Sequence, residues 1–134
     1  MTKLAQTVER DVVDAMVRKF YTKILADKIV GRFFVRALGS DMNKGKWPEH
    51  LSTLKDFWML MMRDIPGYGG HPAPAHAFIG QLSIEAFERW LELFHETVHE
   101  FFTPEIAEQF YKKSQIVAQE LIEFLGVDEE DEDD

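Results

Sequence analysis

The sequence predicts an all-α domain, and three observations predict it. Apolar residues recur at helical spacing along almost the whole chain, and no segment alternates apolar and polar residues as a strand would. Glycines and prolines gather at a few breaks between the periodic stretches. The 134 residues make one ordinary domain, large enough to bury a sizeable core without staples. There is no cysteine, which excludes disulfides and thiolate chemistry and fits a reducing, cytoplasmic setting.

The first helix is predicted over residues 11–25. Val13, Val17, Phe20 and Ile24 fall at spacings of four, three and four, with Met16 and Tyr21 flanking the stripe. Asp27-Lys28 and Gly31 mark a break, followed by a short apolar turn at Phe33-Phe34 and a stop at Gly39-Ser40. The second helix starts around Pro48, a residue suited to a first turn, and aligns His50, Leu54, Phe57 and Met61 with Trp58 beside them. Ile65-Pro66-Gly67 ends it, and three glycines and three prolines make residues 66–74 a loop. A third helix begins near Ser83, an N-cap residue with Glu85 in its first turn, and carries Phe87, Trp90-Leu91, Phe94, Val98 and Phe101. Thr103-Pro104-Glu105 opens a fourth helix with Ile106, Phe110, Val117, Leu121, Phe124 and Leu125 inside, and Gly126 stops it.

The formal charge of −9 is concentrated at one end. Residues 128–134 are all acidic and carry −7 of it, leaving −2 for a domain over residues 1–127. Such a block repels itself, so a disordered acidic tail is expected. Phosphate binding needs a basic surface, so nucleic acid is not an expected partner. Residues 1–7 lack the apolar stretch of a secretory signal, and no apolar run approaches the roughly 20 residues of a membrane span. A soluble protein with no membrane partner is the expectation.

The five histidines are the reactive inventory. His50 lies within an apolar stripe, where it reads either as a satisfied core residue or as a ligand. His76 follows the Gly/Pro loop and precedes Ala77-Phe78-Ile79, a position from which it can project into a core. Together, two histidines from segments separated by a loop can line opposite faces of a flat cofactor such as haem, whose iron takes one neutral imidazole. Tyr21 and Trp90 add a hydroxyl and an indole N–H on otherwise apolar helices, where each polar tip needs a partner. Phe20, Phe87 and Phe94 read as plain core.

A second constellation is His95-Glu96-Thr97-Val98-His99, which matches the H-E-x-x-H pattern of zinc hydrolases. On a helical wheel both histidines flank the apolar stripe while Glu96 lies opposite it, away from a shared metal. A catalytic zinc also needs a third protein ligand, and no downstream pattern specifies one. Two amphipathic surface histidines are the simpler reading.

Over roughly residues 8–126 the chain resembles the truncated haemoglobins, and among them group III. The most specific segment is Tyr68-Gly69-Gly70-His71-Pro72-Ala73-Pro74-Ala75-His76, which resembles the family's loop leading to the proximal histidine. Phe20-Tyr21 resembles the aromatic pair whose tyrosine faces bound ligand, and Trp47-Pro48-Glu49-His50 with Phe57-Trp58 resembles the distal helix. Residues 87–94 resemble the helix carrying the pocket tryptophan, Trp90, and Phe34 matches the phenylalanine that wedges against haem.

The resemblance implies a two-over-two helical sandwich around non-covalent haem b. His76 would be the proximal iron ligand and His50 a distal residue able to act as a sixth ligand. Tyr21, His50, Trp90 and Phe20 would line the distal side, with Phe34, Leu54, Tyr68 and Phe78 also against the cofactor. Lys44, Lys46, Tyr68 and His71 are candidates for the propionates by loop position alone. Oxygen, nitric oxide and carbon monoxide are the implied ligands, with nitric oxide detoxification or peroxidase-like chemistry and a reductase partner as implied roles. The acidic tail is no part of the family pattern. Two other readings are a bis-histidine electron-transfer haem protein and the zinc hydrolase.

Overall fold

A computed structural model of the chain describes residues 4–64 and 83–125. Among these, five helices follow in order: α1 (Arg10–Ala26), α2 (Gly31–Leu38), α3 (Trp47–Arg63), α4 (Ile84–Phe101) and α5 (Pro104–Leu125). No strand occurs among the described residues, only an isolated parallel bridge between Ala5 and Phe102. None of the described helices is long and apolar enough to cross a membrane.

The helices pack as two pairs, α1 with α3 and α4 with α5, and α1 also lies along α4 to join the pairs. The stripe Val13, Val17, Phe20 and Ile24 is buried as the periodicity requires, and Met16 and Tyr21 are buried with it. Trp58 of α3 stacks on Phe94 of α4 with centroids 5.0 Å apart and lies 5.6 Å from Phe110 of α5. One aromatic column therefore runs through both layers. Thr97 and Ser114, the buried polar residues described, turn their hydroxyls onto Leu93 O and Tyr111 O in their own helices, so neither is left unsatisfied.

The region after α1 departs from expectation. Phe33-Phe34 is not a turn but lies in α2, and Gly31 does not break structure but opens that helix. A Cβ at Gly31 would sit 2.6 Å from Ile24 O, so the residue is needed for close backbone approach and not for an unusual dihedral. Asp27 organises the corner: one carboxylate oxygen accepts from the N–H of Ile29 and Val30 at 3.0 and 3.1 Å. The other oxygen accepts from Arg89 Nε of α4 at 2.7 Å. Burial of the carboxyl works against its ionisation, but Arg89 and the two backbone donors prevail and hold its pKa below the ordinary value.

α3 begins at Trp47 with Pro48 in its first turn and ends at Asp64 in left-handed conformation (φ 54°). Ser83 caps α4 by accepting from Ala86 N–H at 3.1 Å, as its sequence position predicts. The N-terminal segment was given no element by periodicity, yet it docks on the α4–α5 corner. Ala5 donates to Phe101 O at 2.9 Å and accepts from Thr103 N–H at 3.0 Å. The acidic stretch at 128–134 lies outside the described residues.

Candidate functional site

The described site residues converge around Tyr21. Leu54 is half-buried against the core, one turn along α3 from His50. Tyr21 is only 2% exposed, and its ring meets Phe20, Phe34, Trp47 and His50 edge-on at centroid distances of 4.8, 5.5, 5.6 and 5.5 Å. Three helices supply these contacts: α1 gives Phe20 and Tyr21, α2 gives Phe34, and α3 gives Trp47 and His50. From α4, Trp90 lies 5.3 Å from Phe20 and stacks on Phe94 at 5.6 Å, and its indole N–H donates to the Tyr21 oxygen. Phe94 belongs to the core column and the face of Trp90 rests on it, so the donor is held by packing on one side.

This bond sets the direction of the hydrogen bonding. Trp90 can only donate, so Tyr21 accepts from it and keeps its own O–H to donate elsewhere. Burial raises the phenol's pKa far above its ordinary value, and the opposing pull of the Trp90 N–H does not offset it. Tyr21 therefore stays protonated across the physiological range.

Trp47 is a site residue that the sequence reading did not single out. It is fully buried, its ring lies 5.5 Å from His50, and its indole donates to Gly39 O at 2.8 Å. Gly39 has φ 91°, a conformation in which a side chain is strained. Thus the α2–α3 connection presents a carbonyl to Trp47, and Trp47 in turn backs Tyr21 and His50. The signal was present in the sequence: Trp47 is three residues before His50, on the same side of one helix.

Other sequence-predicted residues fall differently. His76, Tyr68, Phe78 and His71 lie outside the described residues. Lys44 and Lys46 are exposed, and Lys44 sits 3.8 Å from Asp41. The H-E-x-x-H residues do not act as a pair of independent surface histidines. His95 and His99 both meet Glu108 of α5, with Nε2 to Oε2 distances of 2.9 and 2.6 Å. Glu96 points away from them and pairs with Lys23 of α1 at 2.7 Å, and Lys23 also holds Glu100. A third residue able to ligate, which the sequence pattern did not specify, thus lies beside them on α5, while the residue in the general-base position is turned away.

Comparison with known proteins was made against this geometry. No family model matches the chain. A curated relative, group 3 truncated hemoglobin ctb of Campylobacter jejuni, is 27% identical over 113 residues, 84% of this chain and 87% of the relative. The crystal structure of the group III truncated hemoglobin from Campylobacter jejuni superposes with a TM-score of 0.82 at 26% identity, covering 92% of this chain and 95% of that one. By sequence and by fold, the chain is similar to the group III truncated haemoglobins. The shared fold accounts for the pairing of α1 with α3 and α4 with α5.

Proposed function

We propose that this chain, as a truncated haemoglobin, binds haem b and uses it to hold oxygen and other small diatomic ligands against a polar pocket. The observation that carries the reading is the buried Tyr21 hydroxyl, supplied with a hydrogen bond by Trp90 and set beside His50 among apolar rings. A large apolar macrocycle that binds small polar ligands would ask for this chemistry: flat aromatic and aliphatic contact from Phe20, Phe34 and Leu54, with a few donors among them. The donor set therefore fits the group. His76 is proposed as the proximal ligand, with Tyr68 and Phe78 along the cofactor.

Haem, when bound, would supply an iron atom able to take a small diatomic ligand. The chain's own residues do the rest. Trp90 donates to Tyr21, which polarises the phenol and leaves its O–H free to act as a hydrogen-bond donor toward a small ligand on that side. His50 offers a third polar group on the same side. Trp47, anchored on Gly39 O, keeps Tyr21 and His50 in register. Donors fixed before the ligand arrives favour tight holding over rapid delivery. Nitric oxide detoxification or peroxidase-like chemistry, supplied with electrons by a reductase, is the turnover such a pocket suits.

The decisive experiment is an absorption spectrum of the purified protein, oxidised and reduced, with and without carbon monoxide. A haem band that shifts with carbon monoxide supports the reading. No band after addition of hemin overturns it. A six-coordinate low-spin spectrum in both oxidation states would instead assign His50 and His76 together as iron ligands and favour electron transfer.

A further inference from the structure

We propose that His95, His99 and Glu108 form a binding site for a divalent transition-metal ion, zinc foremost, that clamps α4 to α5. The site is separate from the Tyr21 pocket. At about 100° per residue, His95 and His99 lie about 140° and 180° around α4 from Trp90.

Three features argue for it. First, the ligands are already assembled: one donor atom from each of the three residues lies within 4.8 Å of the other two. The histidines are one helical turn apart with ring centroids at 4.5 Å, and both Nε2 atoms converge on the same Glu108 oxygen. Zinc bonds to nitrogen and oxygen of about 2.0–2.2 Å imply tetrahedral edges of about 3.3 Å, so a small retreat of Glu108 admits the ion. Second, the backbones are held. α4 and α5 pack along their length, and the His95 ring is braced edge-on by Tyr111 at 4.5 Å. Third, the side chains are a third to a half exposed (45%, 32% and 47%), open enough for an ion to enter and for water to complete its shell.

Two imidazoles and one carboxylate suit zinc, copper or nickel and not magnesium or calcium, which take oxygen ligands. In the metal-free triad the Nε2 atoms face Glu108 through hydrogen bonds, so binding the ion exchanges these hydrogen bonds for bonds to the metal. The site holds an ion without a hydrolytic base, because Glu96 is committed to Lys23 on the neighbouring helix.

Zinc titration of chelator-treated full-length protein by calorimetry tests the proposal. One zinc per chain is expected, magnesium giving no heat, with affinity reduced about tenfold or more in each of H95N, H99N and E108Q. Zinc should also raise the thermal midpoint of the natural chain and leave that of H99N in place, since a ligand of the folded state alone stabilises it. A measurement needing no variant is the labelling of histidines by diethylpyrocarbonate, in which zinc should protect His95 and His99. Absence of zinc binding, an affinity in the three variants equal to the natural chain's, an equal response to magnesium, or no protection of His95 and His99 would each overturn the proposal. So would a zinc-induced shift of a haem absorption band, because the ion would then lie in the pocket.

Discussion

Tyr21 shows how much one side chain can be altered by its surroundings. A phenol in water gives up its proton near pH 10, but burial denies the phenolate its solvation and pushes that value up. The consequence for stability follows from its sign. A group protonated in the folded state and able to ionise at lower pH when unfolded contributes stability that is complete below about pH 10. That contribution is lost as the pH rises further. Spectrophotometric alkaline titration of the natural chain against Y21F should therefore show Tyr21 ionising only in step with unfolding. Ionisation of Tyr21 at the ordinary value in the folded protein would contradict its burial. On the proposed haem reading, Tyr21→Phe should speed oxygen release about fivefold or more, matching the loss of a buried hydrogen bond of ~1 kcal/mol. An unchanged dissociation rate would remove Tyr21 from ligand stabilisation.

Among the elements, α2 is where local pattern misleads. Gly31 and Gly39 bracket eight residues that look like a turn flanked by breakers, yet the first glycine is the opening residue of a helix. Its role is decided by Ile24 O, an atom contributed by a different element. Gly31→Ala should lower stability by about 1–3 kcal/mol, because the obstacle is backbone and cannot swing aside. The urea midpoint should fall with an unchanged m-value, and a stability equal to the natural chain's would show that the α1–α2 corner can open freely. The same shift would move Phe34 off Tyr21, so the variant should also disturb the pocket. By contrast, α4 was readable from end to end. Its N-cap Ser83, its first-turn Glu85 and its apolar stripe agree with one another, and the helix forms where they place it.

At the scale of the whole molecule, the joining of the two layers depends on contacts distant in sequence. The Asp27–Arg89 pair is one such bond, tying the α1–α2 corner to the helix that carries Trp90. Asp27 has a side chain only 10% exposed, so the pair is little screened. Asp27→Asn should cost about 1.5–3 kcal/mol at neutral pH, as expected for hydrogen bonds to a charged group. Because folding depresses the Asp27 pKa, the stability it contributes is present above about pH 4 and is lost as pH falls through the folded value. The stabilities of D27N and the natural chain should accordingly converge in acid, and a difference constant with pH would mean the carboxylate charge is not responsible.

What the sequence by itself determined was the class of fold and the chemistry available to it. Helical spacing dictates the helices because a stripe such as Val13, Val17, Phe20 and Ile24 can be buried together only on a helix. Tyr21, His50 and Trp90 were legible too as polar tips on apolar faces, each of which needs a partner. What only the tertiary structure decided was who meets whom. Trp47 became a supporting wall of the pocket because Gly39 presents a carbonyl eight residues away. His95 and His99, taken as surface residues, acquired Glu108 because α5 folds back along α4. Periodicity reports which face of a helix is buried, because that depends on the chain's own repeat. The partner opposite that face depends on how helices cross, and no local spacing encodes it.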